Sequence, residues 1–150
     1  MSELDLTPIL ISIEFVERYK KLCEKYNDFD NRLRGKNREL SDRLLSASSY
    51  DFKYFKKENF YRISIKEKDH EIFIELVLKD GIVEPLLIVK KAGKSYIPKG
   101  RFDFIPQKMG IDFDRKKYNL PKYCSESDLE NILKEVLAIF EDIKNEVLKQ

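Results

Sequence analysis

The chain has 150 residues, of which 42% are hydrophobic and 37% charged, and 29 basic against 27 acidic side chains leave a formal charge of +2. This length predicts one domain over residues 1–150, and five Gly and five Pro exclude a collagenous or low-complexity chain. The near-balanced charge lacks the strongly basic footprint that is typical of nucleic-acid-binding domains.

The first predicted element is a helix from about Thr7 to Tyr26. Thr7 is the expected N-cap, and Pro8 stands in the first turn, where its missing N–H is not needed. Apolar residues recur along this segment at spacings of three and four, as on one face of a helix. The alternation from Ile9 to Phe15 leaves a strand open as the competing interpretation.

A second helix is indicated by three leucines that follow the first segment, Leu33, Leu40 and Leu44. Gly35 interrupts this pattern, because glycine weakens a helix wherever it is internal. The serine cluster from Ser46 to Ser49 marks the expected end of the helix.

After Phe60 the apolar period changes from 3.6 to 2, which predicts three strands at about 60–66, 71–79 and 82–90. The strands are separated by Lys68-Asp69 and by Asp80-Gly81, and Asp-Gly is a strong hairpin signal because both residues tolerate positive φ. The sequence therefore predicts an antiparallel meander of three or more strands.

The register of this meander follows from its turns, if Glu67 faces His70 and Lys79 faces Ile82. Every second residue then falls on a wholly apolar first face, with Tyr61, Ile63, Ile65, Ile72, Ile74, Leu76, Leu78, Val83, Pro85, Leu87 and Val89. The second face gains two opposite-charge pairs that were not used to choose the register, Lys66 with Glu71 and Arg62 with Glu75.

Pro85 and the segment after the meander limit how the sheet continues. Pro85 has no N–H, so the third strand is expected to be an edge there or to bulge before it meets a fourth. The region from Ala92 to Lys122 is irregular, with short strands expected near Tyr96 and Phe102.

The last predicted element is a long helix over about 128–149. Ser127 and Glu130 have the spacing of a capping box just ahead of the periodic apolar run. Ile132, Val136 and Phe140 belong to the most continuous apolar stripe in the chain, which is expected to cover the first face of the sheet. The predicted class is therefore α+β.

The second face of the sheet is the predicted partner-binding surface. Phe73 is expected to face Ile88 and Phe60 to face Val77, which makes a contiguous apolar strip with a charged rim. An antiparallel sheet commonly leaves one face to solvent, which favours exposure of this strip to a partner or a second copy of the chain. The predicted partner-binding residues are Arg62, Phe73, Glu75, Val77, Glu84, Leu86 and Ile88.

Few residues favour catalysis or metal binding. Two cysteines far apart, Cys23 and Cys124, and a single histidine, His70, do not supply the four ligands of a structural zinc site. Asp103 followed by Asp114 and Lys116 weakly matches the carboxylate and lysine pattern of metal-dependent nucleases. Without glycine-rich phosphate loops or nucleophile motifs, we expect no enzyme, no catalytic residue, no metal and no cofactor.

The segment 50–62 supports an alternative function, because it interleaves aromatic and basic side chains as in nucleic-acid-binding surfaces. Its candidate contacts are Tyr54, Lys56, Lys57 and Arg62. The favoured interpretation is that alternate aromatics enter the core while the lysines face solvent, so we expect no nucleic acid as partner.

The N-terminal residues are acidic where a secretory signal is positively charged, which predicts a cytoplasmic protein with free thiols. No apolar stretch approaches the roughly 20 residues that cross a bilayer, so no membrane association is expected.

N-terminal helices, an antiparallel meander and a terminal helix in a small chain without catalytic residues resemble the architecture of bacterial immunity proteins, which neutralise a cognate polymorphic toxin. The resemblance spans most of the chain and involves no signature motif. It implies a tight protein partner whose active site is blocked by a charged surface of this domain. The sequence thus favours a non-catalytic protein-binding domain, and a nucleic-acid-binding or nuclease-associated domain is the alternative.

Overall fold

A computed structural model describes residues 4–150, and it confirms the α+β class with N-terminal helices, an antiparallel sheet and a C-terminal helix. The helices are α1 (Thr7–Ser12), α2 (Phe15–Lys25), α3 (Arg38–Ser46), α4 (Ile105–Lys108) and α5 (Glu126–Leu148). The strands are β1 (Lys53–Phe55), β2 (Phe60–Glu67), β3 (His70–Lys79), β4 (Ile82–Lys91), β5 (Lys94–Ser95) and β6 (Gly100–Arg101).

The predicted register of the meander is confirmed at both turns. Glu67 pairs with His70 in the β2–β3 ladder, and Lys79 pairs with Ile82 in the β3–β4 ladder. The β2–β3 ladder begins at Tyr61, so the predicted pair of Phe60 with Val77 lies just outside it, and on the other edge of β2 Phe60 pairs with Phe55 of β1. The strand β1, which the sequence pattern did not predict, pairs with the edge of β2 that faces away from β3.

The sheet does not end at Pro85: of the two alternatives expected there, the open edge is wrong, and β4 meets further strands. Strand order is β1-β2-β3-β4-β5, and β6 also pairs with β4 through Leu86 and Leu87. The N–H of Phe102 donates to the carbonyl of Pro85 at 2.9 Å, and Pro85 itself needs no acceptor on that side. The short strands expected near Tyr96 and Phe102 are β5 and β6, which lie just before these residues.

The core lies on the first face of the sheet, as predicted. Buried residues of α1, α2, α3 and α5 join the first-face side chains in one apolar cluster. Ile132, Val136 and Phe140 of α5 are fully buried in it, which confirms the helix that was expected to cover this face.

The single helix predicted from Thr7 to Tyr26 is broken into α1 and α2, and the competing strand does not form. The break is at Glu14, which has the left-handed conformation with φ of 59°. Arg18 donates to the carbonyl oxygen of Ile13 at 3.3 Å, so its guanidinium satisfies an acceptor that the break exposes. Thr7 is not the N-cap, since Asp5 accepts the N–H of Thr7 at 2.9 Å ahead of the helix.

Two further helix starts differ from the sequence prediction. α3 begins at Arg38, so Leu33 lies outside it and only the part after Gly35 is helical. α5 begins two residues early because Ser125, not Ser127, is the N-cap and accepts the N–H of Asp128 at 3.1 Å. Asp128 in turn accepts the N–H of Cys124 at 2.9 Å, a reciprocal pair like the capping box that was expected two residues later.

Candidate functional site

The second face of the sheet lies outside the core. Val77, Leu86 and Ile88 are half-buried, and within residues 4–150 they neither belong to the core cluster nor pack against it. Phe73 is the most buried residue of the face at 9% exposure and is also absent from the cluster. The N-terminal helices therefore do not cover this face, since their buried apolar side chains pack in the core on the opposite face.

The centre of the second face is organised around Arg62. Its guanidinium lies 4.9 Å from the ring centroid of Phe55, 5.8 Å from that of Phe60 and 5.1 Å from that of Phe73. The Nε atom of Arg62 donates to Glu75 across the ladder at 2.9 Å, which is one of the two charge pairs expected from the register. The other pair, Lys66 with Glu71, is present at 3.4 Å.

This arrangement holds Arg62 in one orientation. A guanidinium between aromatic rings gains cation–π attraction, and the cross-strand carboxylate adds a charge-assisted hydrogen bond. The predicted pair of Phe73 with Ile88 is confirmed, and Leu86 lies opposite Glu75, which is the partner of Arg62. An ordered arginine beside apolar side chains is a composition that protein-binding hot spots favour.

A second charged cluster borders the face on the side of β6 and was not found from the sequence. Glu84 pairs with Arg101 of β6 at 2.8 Å. Arg101 also binds Asp103, which is 4% exposed and accepts hydrogen bonds from Arg115 as well. Phe104 lies under both guanidiniums, at 5.0 Å from Arg101 and 3.7 Å from Arg115. Only the pairing of β6 with β4 brings these residues to Glu84, so no local pattern indicated them.

The carboxylates that matched a nuclease pattern are not arranged as metal ligands. Asp103 is bound by two arginines, and the nearest contact from Arg115 is 3.3 Å. Asp114 accepts the N–H groups of Lys116 and Lys117 in a turn. No group of three or more His, Cys, Asp and Glu side chains among the described residues has the geometry to hold a metal ion.

His70 and Cys124 lie in different surroundings. His70 begins β3 opposite Glu67 and is buried against the ring of Tyr96. Cys124 contacts the carbonyl of Asp28 at 3.5 Å, and burial with the nearby Asp28 and Asp128 carboxylates raises the pKa of its thiol. A raised pKa disfavours the thiolate that nucleophilic chemistry needs.

The residues of the nucleic-acid alternative are divided between the two faces. Tyr54 packs against the core under Arg38, whose guanidinium lies 3.4 Å from its ring centroid, while Arg62 is on the second face. Lys56 and Lys57 are exposed in the turn between β1 and β2. The four residues therefore do not form one stacking platform with adjacent cations.

Comparisons with known proteins give no relative for this chain: no family model, no curated protein and no solved structure matches it. Over the part of the chain that the structure describes, none of the helices has the length and apolar character needed to span a membrane.

Proposed function

We propose that this chain is a non-catalytic protein-binding domain that acts through the second face of its sheet. The observation that carries the proposal is the apolar strip of Val77, Leu86 and Ile88 on this face. Among the described residues, these three side chains are half-buried and lie outside the core cluster. A contiguous apolar strip with a charged rim is typical of a protein interface.

The class of partner that we propose is a bacterial toxin, which this domain neutralises as an immunity protein. The support is the architectural resemblance together with a charged and apolar face suited to blocking another protein. A second copy of the chain is the competing occupant of the same face, and the oligomeric state distinguishes the two.

The experiment pairs the chain with the product of the neighbouring gene. We expect that product to arrest growth when expressed alone, growth to recover when both are expressed, and the two purified proteins to form a complex with the free chain monomeric. An inert neighbour, or a free chain that dimerises through this face, would contradict the immunity role.

Variants then locate the surface. Leu86→Glu puts a charge into the strip and Arg62→Ala removes its ordered cation, and each is expected to weaken the complex at least about tenfold, as for a hot-spot contact. Ile11→Glu is the control, because Ile11 is also a large exposed apolar residue, at 61% exposure, but lies on α1. Equal affinities for all three variants would exclude the second face as the binding surface.

A further inference from the structure

Strand β2 is longer than β1, its neighbour on the outer side of the sheet. β2 spans eight residues, Phe60–Glu67, whereas β1 spans three. The pairing of β1 with β2 stops at Arg62, and no other strand or isolated bridge in residues 4–150 pairs with β2 on that side. Residues 64–67 therefore have no strand on their outer side, and they form the β2 edge.

The backbone groups that point outward at the β2 edge follow from the adjoining turn. Glu67 and His70 flank a two-residue turn and pair directly, so each accepts and donates a backbone hydrogen bond with the other. Because the bonding direction alternates along a strand, Ile65 also bonds to β3, whereas the N–H and C=O groups of Ser64 and Lys66 point away from it. The β2 edge therefore presents two backbone donors and two backbone acceptors.

The opposite edge of the meander is closed by the chain itself. The N–H of Val83 in β4 donates to the carbonyl of Pro121 at 3.0 Å, and the carbonyl of Val89 accepts the N–H of Tyr96 at 2.8 Å. Strands β5 and β6 also pair with β4 on this side. In the described part of the chain no comparable backbone bond reaches the β2 edge. Unpaired strand groups of this kind are a template for a further strand.

On the second face, the charged residues of β1 and β2 are all cations. Lys66 at the β2 edge has a side chain that is 76% exposed, and Lys53 pairs with Arg62 across the two strands beside it. The carboxylates that balance these cations, Glu71 and Glu75, lie on β3, which is the inner side. A strand that approaches from the outer side therefore meets the cations first.

These charges oppose a second copy of the chain at the β2 edge. Antiparallel self-pairing about Ile65 would make the two Lys66 side chains diagonal neighbours on the second face, and like charges at such positions are destabilising. Lysine on an edge strand is a common protection against self-association. A strand that carries a carboxylate beside Lys66 forms an opposite-charge pair instead, so the edge favours an acidic strand over its own copy.

We propose that the β2 edge binds an extended acidic segment of a partner protein by strand addition. The outward backbone groups of Ser64 and Lys66 supply the hydrogen bonds, while a carboxylate opposite Lys66 and an apolar side chain opposite Ile65 select the sequence. Ile65 is half-buried against the core, so it offers an apolar contact on the first face. The β2 edge shares no residue with the apolar strip of the second face, and the inference does not depend on the proposed function.

The free chain gives the first test, by hydrogen exchange followed with two-dimensional NMR. We expect the amides of Ser64 and Lys66 to exchange at least about a hundredfold faster than those of Ile63 and Ile65, which bond to β3. Equal protection of all four amides would show that the edge is already occupied. Sedimentation at rising protein concentration is expected to show no self-association through the β2 edge, and a dimer that is lost in Ser64→Pro would make a second copy the occupant.

Binding is tested with a capped five-residue peptide, Thr-Val-Glu-Val-Thr, and a matched peptide with lysine in place of the glutamate. We expect saturable shifts at the Ser64 and Lys66 amides and slower exchange of both in the complex. The glutamate peptide should bind at least about threefold more tightly, because one cross-strand pair changes from repulsion to attraction. Absence of saturable shifts at these amides, or equal binding of the two peptides, would overturn the proposal.

Ser64→Pro tests the backbone bonds. It removes an outward N–H and leaves the bonds to β3 in place, because proline is tolerated in an edge strand where its nitrogen faces solvent. We expect it to weaken binding of the glutamate peptide at least about threefold, the effect of one lost hydrogen bond. Ser64→Ala keeps the N–H and should bind as the wild type does. Unchanged affinity in a folded Ser64→Pro protein would refute strand addition.

Lys66→Glu tests the charge and leaves the backbone unchanged. We expect it to reverse the preference, so that the lysine peptide binds more tightly than the glutamate peptide. Lys57→Glu is the matched control, since it makes the same charge change at an exposed position in the turn at the other end of β2, and it should keep the wild-type preference. A Lys66→Glu protein that still prefers the glutamate peptide would refute the role of Lys66 in selecting an acidic strand.

Discussion

Cys23 illustrates how the core changes the chemistry of a single residue. It lies in α2 at 1% exposure, and burial raises the pKa of its thiol to about 12. Tyr19 stands beside it, fully buried, and burial raises the pKa of its hydroxyl in the same direction. Both groups are neutral in the folded protein and are stabilised in that form by the apolar surroundings.

This burial predicts that the protein loses stability as the solution becomes alkaline. Between the ordinary thiol pKa of about 8.5 and the folded value, the folded chain keeps a proton that the unfolded chain releases. The stabilising effect is therefore complete below about pH 8.5 and falls as pH rises toward 12. Urea unfolding at several pH values measures this slope.

Cys23→Ala is expected to reduce the slope of unfolding free energy against pH in the alkaline range. Cys124→Ala is the matched control, and we expect it to change the slope less because Cys124 is only half-buried. Identical slopes for the two variants and the wild type would show that the Cys23 thiol does not titrate differently on unfolding.

At the scale of elements, α5 is the main cover of the sheet. Phe140 is fully buried in the middle of this helix and meets the ring of Tyr50 edge to face, with centroids 5.6 Å apart. The helix is also linked to α2 by ion pairs, since Arg18 of α2 binds both Glu135 and Asp142 of α5. Loss of α5 packing therefore disturbs the sheet and the N-terminal helices together.

Phe140→Ala is expected to lower the free energy of unfolding by about 3 to 5 kcal/mol, through lost apolar burial and the cavity that remains. For a chain of this length the melting temperature should fall by about 10 °C. Lys134→Ala on the exposed side of α5 is the control, with an expected change within about 0.5 kcal/mol. A Phe140→Ala protein that melts within about two degrees of wild type would contradict the assigned packing.

The turns of the meander provide a second element-scale prediction. Gly81 has φ of +72°, and a Cβ atom there would lie 2.4 Å from the Cβ of Arg32 and 2.9 Å from the amide nitrogen of Leu33. Gly93 has a similar φ of +81°, but a Cβ atom there would meet nothing within 4 Å. Both glycines have a positive φ, but only at Gly81 would an added Cβ atom meet a neighbouring segment.

Gly93→Ala is therefore expected to destabilise the protein by about 1 to 2 kcal/mol, the cost of a left-handed non-glycine residue. Gly81→Ala should cost clearly more, because the segment at Arg32 and Leu33 must also move. Chemical denaturation of both variants measures the difference. Equal losses would show that the segment 32–33 does not pack on the turn.

At the scale of the whole molecule, the two faces of the sheet have different surroundings. The first face and the helices form the core, while the second face presents Arg62 and the apolar strip. The basic side chains of the segment 50–62 are distributed over both faces and a turn. The aromatic and basic side chains of this segment therefore do not lie together on one surface.

This distribution predicts no binding of duplex or single-stranded nucleic acid at physiological salt. Fluorescence anisotropy with labelled oligonucleotides measures it, and any association seen at low salt should disappear steeply as salt is added. Submicromolar binding that is lost in the Lys56→Glu, Lys57→Glu double variant would make the nucleic-acid alternative the better account.

The sequence by itself determined the elements whose signals are local. Alternation along the strands, together with the Lys68-Asp69 and Asp80-Gly81 turns, was enough to assign the register of β2, β3 and β4, because a hairpin turn and a wholly apolar face admit one pairing. The apolar stripe of α5 likewise identified its buried residues, since a period of 3.6 places them on one side of a helix. From these local signals the composition of the second face also followed.

Only the tertiary structure decided the features that depend on residues far apart in the chain. The break at Glu14, the pairing of Arg101 with Glu84, and the burial of Lys122 have no local periodicity that would indicate them. Arg101 reaches Glu84 because β6 pairs with β4, and Lys122 is buried because its backbone bridges Tyr26 and Ile82. The physical reason is that burial and ion pairing arise from packing between elements, whereas periodicity and turn preference act within them.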